Sequence, residues 1–427
     1  MAKMKDSGFE WIGEIPEDWS LNKGKYLFKL RSSKGNKLNL QLLSPTQHYG
    51  VIPQKIYDEL SGMNSVKVKE DTDLSLFKTI HDGDFCISLR SFEGGFEYSK
   101  YEGVVSPAYQ VFFASTYKTF NGYYKYLFKC QSFIKEMNSY TLSLRDGKNI
   151  AFSDFGKTYL TIPPFEVQKS IASFLDNQCS KISNLNNDIE KQIESLAQYK
   201  KSIITEAVTK GINSNVKMKD SGIEWIGEIP EHWDTKRAKF IFNPRNDRGN
   251  KIELQLLSPT QKYGVIPQAL YDEISGMNSV KLKENTDLNL LKTCHKGDYC
   301  ISLRSFQGGF EYSKYEGVVS PAYQIFYPTI KIADGYYKYI FKENNFIEKI
   351  NSFTLSLRDG KPISYFDFSN MYLPLPPAEE QKEIADYLDS KCASIDKIIK
   401  TKQQQLETLE EYKKSLIFEY VTGKKEI

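Results

Sequence analysis

The amino-acid sequence predicts an α/β (α+β) protein built as two tandem repeats, each an α/β domain followed by a long α-helix. Three observations predict it. The chain duplicates itself, the first part of each copy mixes strand and helix patterns, and the second part carries a sustained seven-residue apolar repeat. Its 427 residues leave room for two to four domains at about 100–200 residues each.

The duplication decides the architecture. WIGEIPEDW at Trp11–Trp19 returns as WIGEIPEHW at Trp225–Trp233, an offset of 214. The segment Gly83–Gln110 returns at Gly297–Gln324 with 26 of 28 residues identical. SLRDGK at Ser143–Lys148 matches Ser356–Lys361, and PPFEVQKSIASFLD at Pro163–Asp176 matches PPAEEQKEIADYLD at Pro376–Asp389, both at an offset of 213. The boundaries read from the sequence are 1–165 for the first α/β domain, 166–212 for the first long helix, 213–377 for the second domain and 378–427 for the second helix.

Within the first domain, Phe85, Ile87 and Leu89 alternate as a half-buried strand, as do Tyr109, Val111 and Phe113. Tyr123, Tyr126, Leu127, Cys130, Ile134 and Met137 then recur at three and four, which predicts a helix with Asn121 as N-cap. Gly94-Gly95 and Gly308-Gly309 read as turns.

The long helix begins after Pro163-Pro164, with neither Pro nor Gly until Gly211. Leu175, Ile182, Ile189, Leu196 and Ile203 fall every seven residues. Leu388, Ile395, Leu409 and Leu416 repeat the pattern, with Lys402 at the interrupted position. Such a seam belongs to a coiled coil, and about 40 residues reach roughly 60 Å. A long amphipathic helix lying on its own domain is the competing reading; two matching helices in one chain favour pairing with each other.

Composition narrows the function classes. No apolar run approaches the roughly 18 residues of a membrane span, and the start has no secretory apolar core. A cytoplasmic protein is expected. Six cysteines without CxxC spacing and four histidines without a ligand pair argue against disulfides and zinc. The two helical segments carry net charges of 0 and −2, which leaves +5 on the domains out of +3 overall, a mild tilt toward an anionic partner. There is no phosphate loop, dinucleotide fingerprint, nucleophile elbow or histidine triad. The run Ile162-Pro163-Pro164-Phe165 is superficially like the amino-methyltransferase motif [ND]-P-P-[YFW]. That motif needs an Asn or Asp to accept from the target amino group, and Ile162 and Leu375 cannot. No active site is expected on this chain.

The order W-I-G-E-I-P-x-x-W, α/β domain, [IL]-P-P-x-x-x-Q, long helix, all repeated, resembles the specificity subunit of type I DNA restriction-modification systems. The most specific elements are Pro163-Pro164…Gln168 and Pro376-Pro377…Gln381, each leading into I-A-x-[FY]-L-D. Val167 stands where the family usually has Glu, as at Glu380. The resemblance implies two target-recognition domains that read a bipartite site on double-stranded DNA; the likeness of the two copies, where the family is expected to have differing domains, adds two similar half-sites. It implies an antiparallel pairing of the helices as a spacer, and docking of two methyltransferase subunits and two motor-nuclease subunits. S-adenosylmethionine, ATP and Mg would sit on those partners in an adenine-N6 methyltransferase and site-specific deoxyribonuclease complex, with no cofactor on this chain.

Base reading needs bidentate donors and acceptors, and phosphates need cations. The loops after the duplicated strands supply Gln47, Arg90, Ser91, Tyr98, Lys100, Arg145 and Lys148 as DNA-binding candidates, with Gln261, Arg304, Ser305, Tyr312, Lys314, Arg358 and Lys361 as their counterparts. Each has a structural alternative, since an Arg in SLRSF or SLRDGK can equally pin its own loop through Glu93 or Asp146. Trp11, Trp19, Trp225 and Trp233 read as core anchors in preference to base-stacking platforms, and Cys179 and Cys392 as small core residues. Tyr199-Lys200-Lys201 and Tyr412-Lys413-Lys414 are open between a methyltransferase contact and a solvated basic turn. Two other function classes stand against DNA reading: a degenerate methyltransferase or nuclease, which would bind S-adenosylmethionine alone, and a coiled-coil scaffold, which would bind no DNA.

Overall fold

The structure is a computed structural model that describes residues 3–35, 40–47, 49–61, 74–87, 95–140, 150–249, 254–276, 288–301, 309–353 and 363–427. The chain forms two compact units that are interleaved in sequence: Met1–Ile189 with Gln403–Ile427, and Glu190–Lys402. Each unit therefore combines one α/β domain, the start of the long helix that follows it, and the end of the other long helix. Among the described residues no helix is long and apolar enough to cross a membrane.

The first domain is organised by a four-stranded antiparallel sheet in the order Phe28–Leu30, Gln110–Ala114, Phe85–Ile87, Phe96–Tyr98. Its counterpart runs Phe242–Arg245, Gln324–Pro328, Tyr299–Ile301, Phe310–Tyr312. One face buries an aromatic core. Phe28 lies 5.6 Å from Phe112, 5.8 Å from Phe85 and 5.1 Å from Tyr124, all edge-on. Such pairs add about 0.5–1.5 kcal/mol each beyond the area they bury.

The other face is covered as well, which corrects the expectation of half-buried strands. Phe85 and Ile87 enter the aromatic core, while Cys86 between them joins Leu43, Val51, Ile80, Val105 and Val111 in a second cluster. The hairpin of Leu43–Thr46 with Gly50–Pro53, and the pair Lys78–Ile80 with Gly103–Val105, supply that cover. In the neighbouring strand Val111 and Phe112 are both fully buried, on opposite faces, and Phe113 is half-buried. Leu89 lies outside the described residues, as do Gly94 and Gly308 of the expected turns.

The helix expected over 121–137 is two helices, Asn121–Leu127 and Gln131–Ser139. Asn121 is not the cap: Phe120 holds that place, and the Asn121 amide donates to the Gly83 carbonyl at 2.9 Å. The break lets Tyr123, Tyr124 and Phe133 all reach the same core.

The two long helices span Phe165–Lys210 and Ala378–Val421. In the first unit Leu175, Cys179, Ile182, Leu416 and Tyr420 are buried, and Ile189 and Leu409 are half-buried. In the second unit Leu388, Cys392, Ile395, Ile203 and Ala207 are buried and Leu196 is half-buried. The contacts in each unit run antiparallel. Phe174 meets Tyr420 and Asn186 meets Glu410 in the first; Lys200 meets Asp396 and Gln192 meets Lys402 in the second. In each unit apolar contacts are joined by a polar one, Asn186 with Glu410 in the first and Gln192 with Lys402 in the second, and Lys402 is half-buried where the heptad is interrupted. Alternate spacings of four and three bring in Cys179, Asn186, Ile193, Lys200 and Ala207 as the second set of seam positions, which a search at seven alone misses.

Candidate nucleic-acid interface

The candidate surface is held from below by the junction between domain and helix. Gln168, fully buried, accepts from the Phe120 backbone N–H at 2.8 Å and donates to the carbonyls of Lys118 and Pro163 at 2.8 and 2.9 Å. Gln381 accepts from the Ala333 N–H at 3.0 Å and donates to the Pro376 carbonyl at 2.8 Å. The proline-proline-to-glutamine spacing is therefore a lock that ties the start of the long helix to the segment before Asn121–Leu127. About two turns further on, Asp176 accepts from Lys125 and from the Tyr126 hydroxyl at 2.5 and 2.6 Å. In the second unit Asp389 accepts from Lys338 and Tyr339, each at 2.5 Å. Burial works against the Asp389 charge, but these two bonds together with the charges of Lys338 and Lys314 hold the carboxyl below its ordinary value.

The surface above is a turn and a strand end. Gln47 sits in the turn of the hairpin Leu43–Thr46/Gly50–Pro53, where Thr46 Oγ1 donates to the Gly50 carbonyl at 2.9 Å. Gly50 has φ +72°, and a Cβ there would lie 2.6 Å from the Tyr98 carbonyl oxygen. Only glycine lets the hairpin approach the strand this closely. Tyr98 ends that strand, and Lys100 follows at the tip of a turn closed by Ser99 Oγ donating to the Tyr101 carbonyl at 2.8 Å. Gln47, Tyr98 and Lys100 line one cleft of about 670 Å³ together with Tyr49, Lys125 and Lys129. The same local frame carries Gln261, Tyr312 and Lys314: φ is +74° at Gly264, a Cβ there would again lie 2.6 Å from a carbonyl oxygen, that of Tyr312, and Ser313 Oγ donates to Tyr315 at 2.8 Å.

Charge under this surface is arranged around a buried carboxylate. Glu97, 2% exposed, pairs with Lys129 Nζ at 2.7 Å, and that amine also reaches the Gln47 carbonyl at 3.5 Å. Burial pushes the Glu97 carboxyl up to about 7, with Lys129 pulling the other way. Glu311 and Lys342 repeat the pair at 2.7 Å, and the Glu311 carboxyl also rises to about 7 by burial against the pull of Lys342. Burial likewise raises the Tyr98 hydroxyl, and takes that of Tyr312 to about 12. Both phenols therefore present O–H donors at neutral pH.

Of the candidates read from sequence, the structure brings Gln47, Tyr98 and Lys100 together around the first cleft and places Gln261, Tyr312 and Lys314 on the matching frame. Arg90, Ser91, Arg145, Lys148, Arg304, Ser305, Arg358 and Lys361 lie outside the described residues. Sequence reasoning missed Lys125 and Lys129, and the exposed Tyr49 and Tyr263. The signal was present, because YYKYLFK at 123–129 returns as YYKYIFK at 336–342. All four tryptophans are buried, as their reading as anchors required.

The family model for the type I restriction modification DNA specificity domain matches twice, over residues 16–195 and 230–408. The putative type I restriction enzyme MjaX specificity subunit of Methanocaldococcus jannaschii is 25% identical, over 97% of this chain and 95% of that protein. The MjaVIII specificity subunit of the same organism is 27% identical over 68% of each. Among solved structures, a chain from a study of complex assembly and conformational transition of the type I R-M system is similar with TM-score 0.66 and 12% identity, covering 95% of this chain and 98% of that one. The HsdS subunit from Thermoanaerobacter tengcongensis is similar with TM-score 0.53 and 12% identity, covering 98% and 99%. With two matched domains, each joined to its long helix through a buried glutamine, this chain belongs to the family of type I restriction-modification DNA specificity subunits.

Proposed function

We propose that this chain reads a bipartite sequence on double-stranded DNA and carries that choice to two methyltransferase subunits and two motor-nuclease subunits. The observation that carries the reading is the repeated frame that presents Gln47, Tyr98 and Lys100 in one domain and Gln261, Tyr312 and Lys314 in the other. Glutamine offers a donor and an acceptor to an adenine edge, and lysine neutralises a phosphate or donates to guanine. The arginines and remaining candidates of the SLRSF and SLRDGK loops belong to the same proposed surface. A spacer makes the second domain's encounter with DNA intramolecular, so neither domain needs high affinity alone.

The chain's own part is binding and not chemistry. S-adenosylmethionine, ATP and Mg belong to the partners, and the complex works in the cytoplasm. Tyr199 and Tyr412, each 54% exposed beside a lysine pair, are proposed contacts for the methyltransferase subunits. The test is binding of the assembled chain and methyltransferase to duplex DNA across a salt series. A steep fall of log K with log[salt] is expected from counterion release. DNA binding that is absent at low salt would refute the reading.

A further inference from the structure

The two domains agree in local geometry as well as in sequence. Thr46 and Thr260 close their turns with the same 2.9 Å bond to Gly50 and Gly264. Glu97–Lys129 and Glu311–Lys342 are both 2.7 Å pairs behind the strand that ends in Tyr98 or Tyr312. Equal side chains on equal frames offer equal donors and acceptors to a base edge.

This likeness is uneven. Across Gly83–Gln110 and its copy 26 of 28 residues agree, yet across 175–210 and 388–423 of the helical segments only 15 of 36 do, and across 20–39 and 234–253 only 6 of 20. A recent duplication alone would leave all parts equally alike. The stretch that ends in Tyr98 and Lys100 and their counterparts has therefore stayed alike while other parts changed.

Each domain is also fixed in the same way to its own helix, through Asp176 or Asp389. The helices run antiparallel within each unit. Two readers with the same side chains on the same frame select the same bases.

We infer that the two half-sites carry the same base sequence. The inference rests on the DNA-reading role proposed above. Near the candidate readers the copies differ at His48 against Lys262 and Glu93 against Gln307, and they diverge again after Phe113; these differences can relax the likeness at single base pairs. Matching single-base changes in the two halves should weaken binding by similar factors, each about 5- to 150-fold.

The test is selection from a pool of duplexes with a randomised segment, using the chain assembled with its methyltransferase. The expected result is enrichment of one half-site sequence present twice with a gap between. Two unrelated half-sites would overturn the inference and leave DNA reading intact. No enrichment over the starting pool would overturn DNA reading and this inference with it.

Discussion

The Trp233 indole N–H donates to the Glu380 carboxylate at 2.9 Å, and the same carboxylate meets His232 at 2.8 Å. Trp233 is fully buried, so this bond satisfies a donor that has no access to water. In the first copy Val167 takes the place of Glu380 and Asp18 that of His232, so the contact exists once. Glu380→Ala should therefore cost about 1–3 kcal/mol, the penalty for an unpaired buried donor. Val167→Ala, at an exposed position, should stay within about 0.5 kcal/mol. Chemical denaturation of the two variants measures the difference.

Stability should also depend on pH through the buried carboxylates. Glu97 and Glu311 hold their protons up to about pH 7, against an ordinary value of 4.5. Between those limits the unfolded chain gives up protons that the folded chain keeps, so stability falls as pH rises through the window and levels off above it. The slope approaches about 1.4 kcal/mol per pH unit for each group. The double variant Glu97→Gln, Glu311→Gln should flatten the unfolding midpoint between pH 4.5 and 7 relative to the parent.

Lys100 and Lys314 lie exposed at the tips of equivalent turns. Replacing either by Ala should reduce the slope of log K against log[salt] by about 0.9 and weaken binding to all sequences alike. Gln47→Ala and Gln261→Ala should instead relax the preference at one base pair with the salt slope unchanged. Fluorescence titration on matched and mismatched duplexes separates the two effects.

The helices should set the distance between half-sites. Four residues inserted near Asn187 and near Lys400 add about one helical turn, roughly 6 Å, to each helix. The gap in the recognised sequence should lengthen by about two base pairs, at 3.4 Å per base pair. Mapping the methylated motif of the double insertion measures it, and an unchanged gap would mean the helices do not measure distance.

The repeat, the helices and their seam were legible because they rest on periodicity, which needs no tertiary context. What escaped was set by packing. Cys86 and Phe112 read as the plain side of their strands, yet the hairpin carrying Gln47 covers Cys86 and the aromatic core takes Phe112. Asn121 has the chemistry of an N-cap, yet its amide is drawn to Gly83, a residue 38 positions away. The glutamine of the proline-proline junction was visible as a motif, but its three-bond role at Gln168 depends on Phe120 and Lys118, which no local pattern links to it. At the interface, arginines drew attention by type, whereas Lys129 acts through a buried Glu97 that sequence cannot place.

The most direct measurement is a map of adenine methylation in cells carrying the methyltransferase subunit, with and without this chain. The account predicts methylation at a single interrupted motif that appears only when the chain is present and shifts at one position when Gln47 and Gln261 are replaced together. Methylation at the same sites whether or not the chain is present would contradict it.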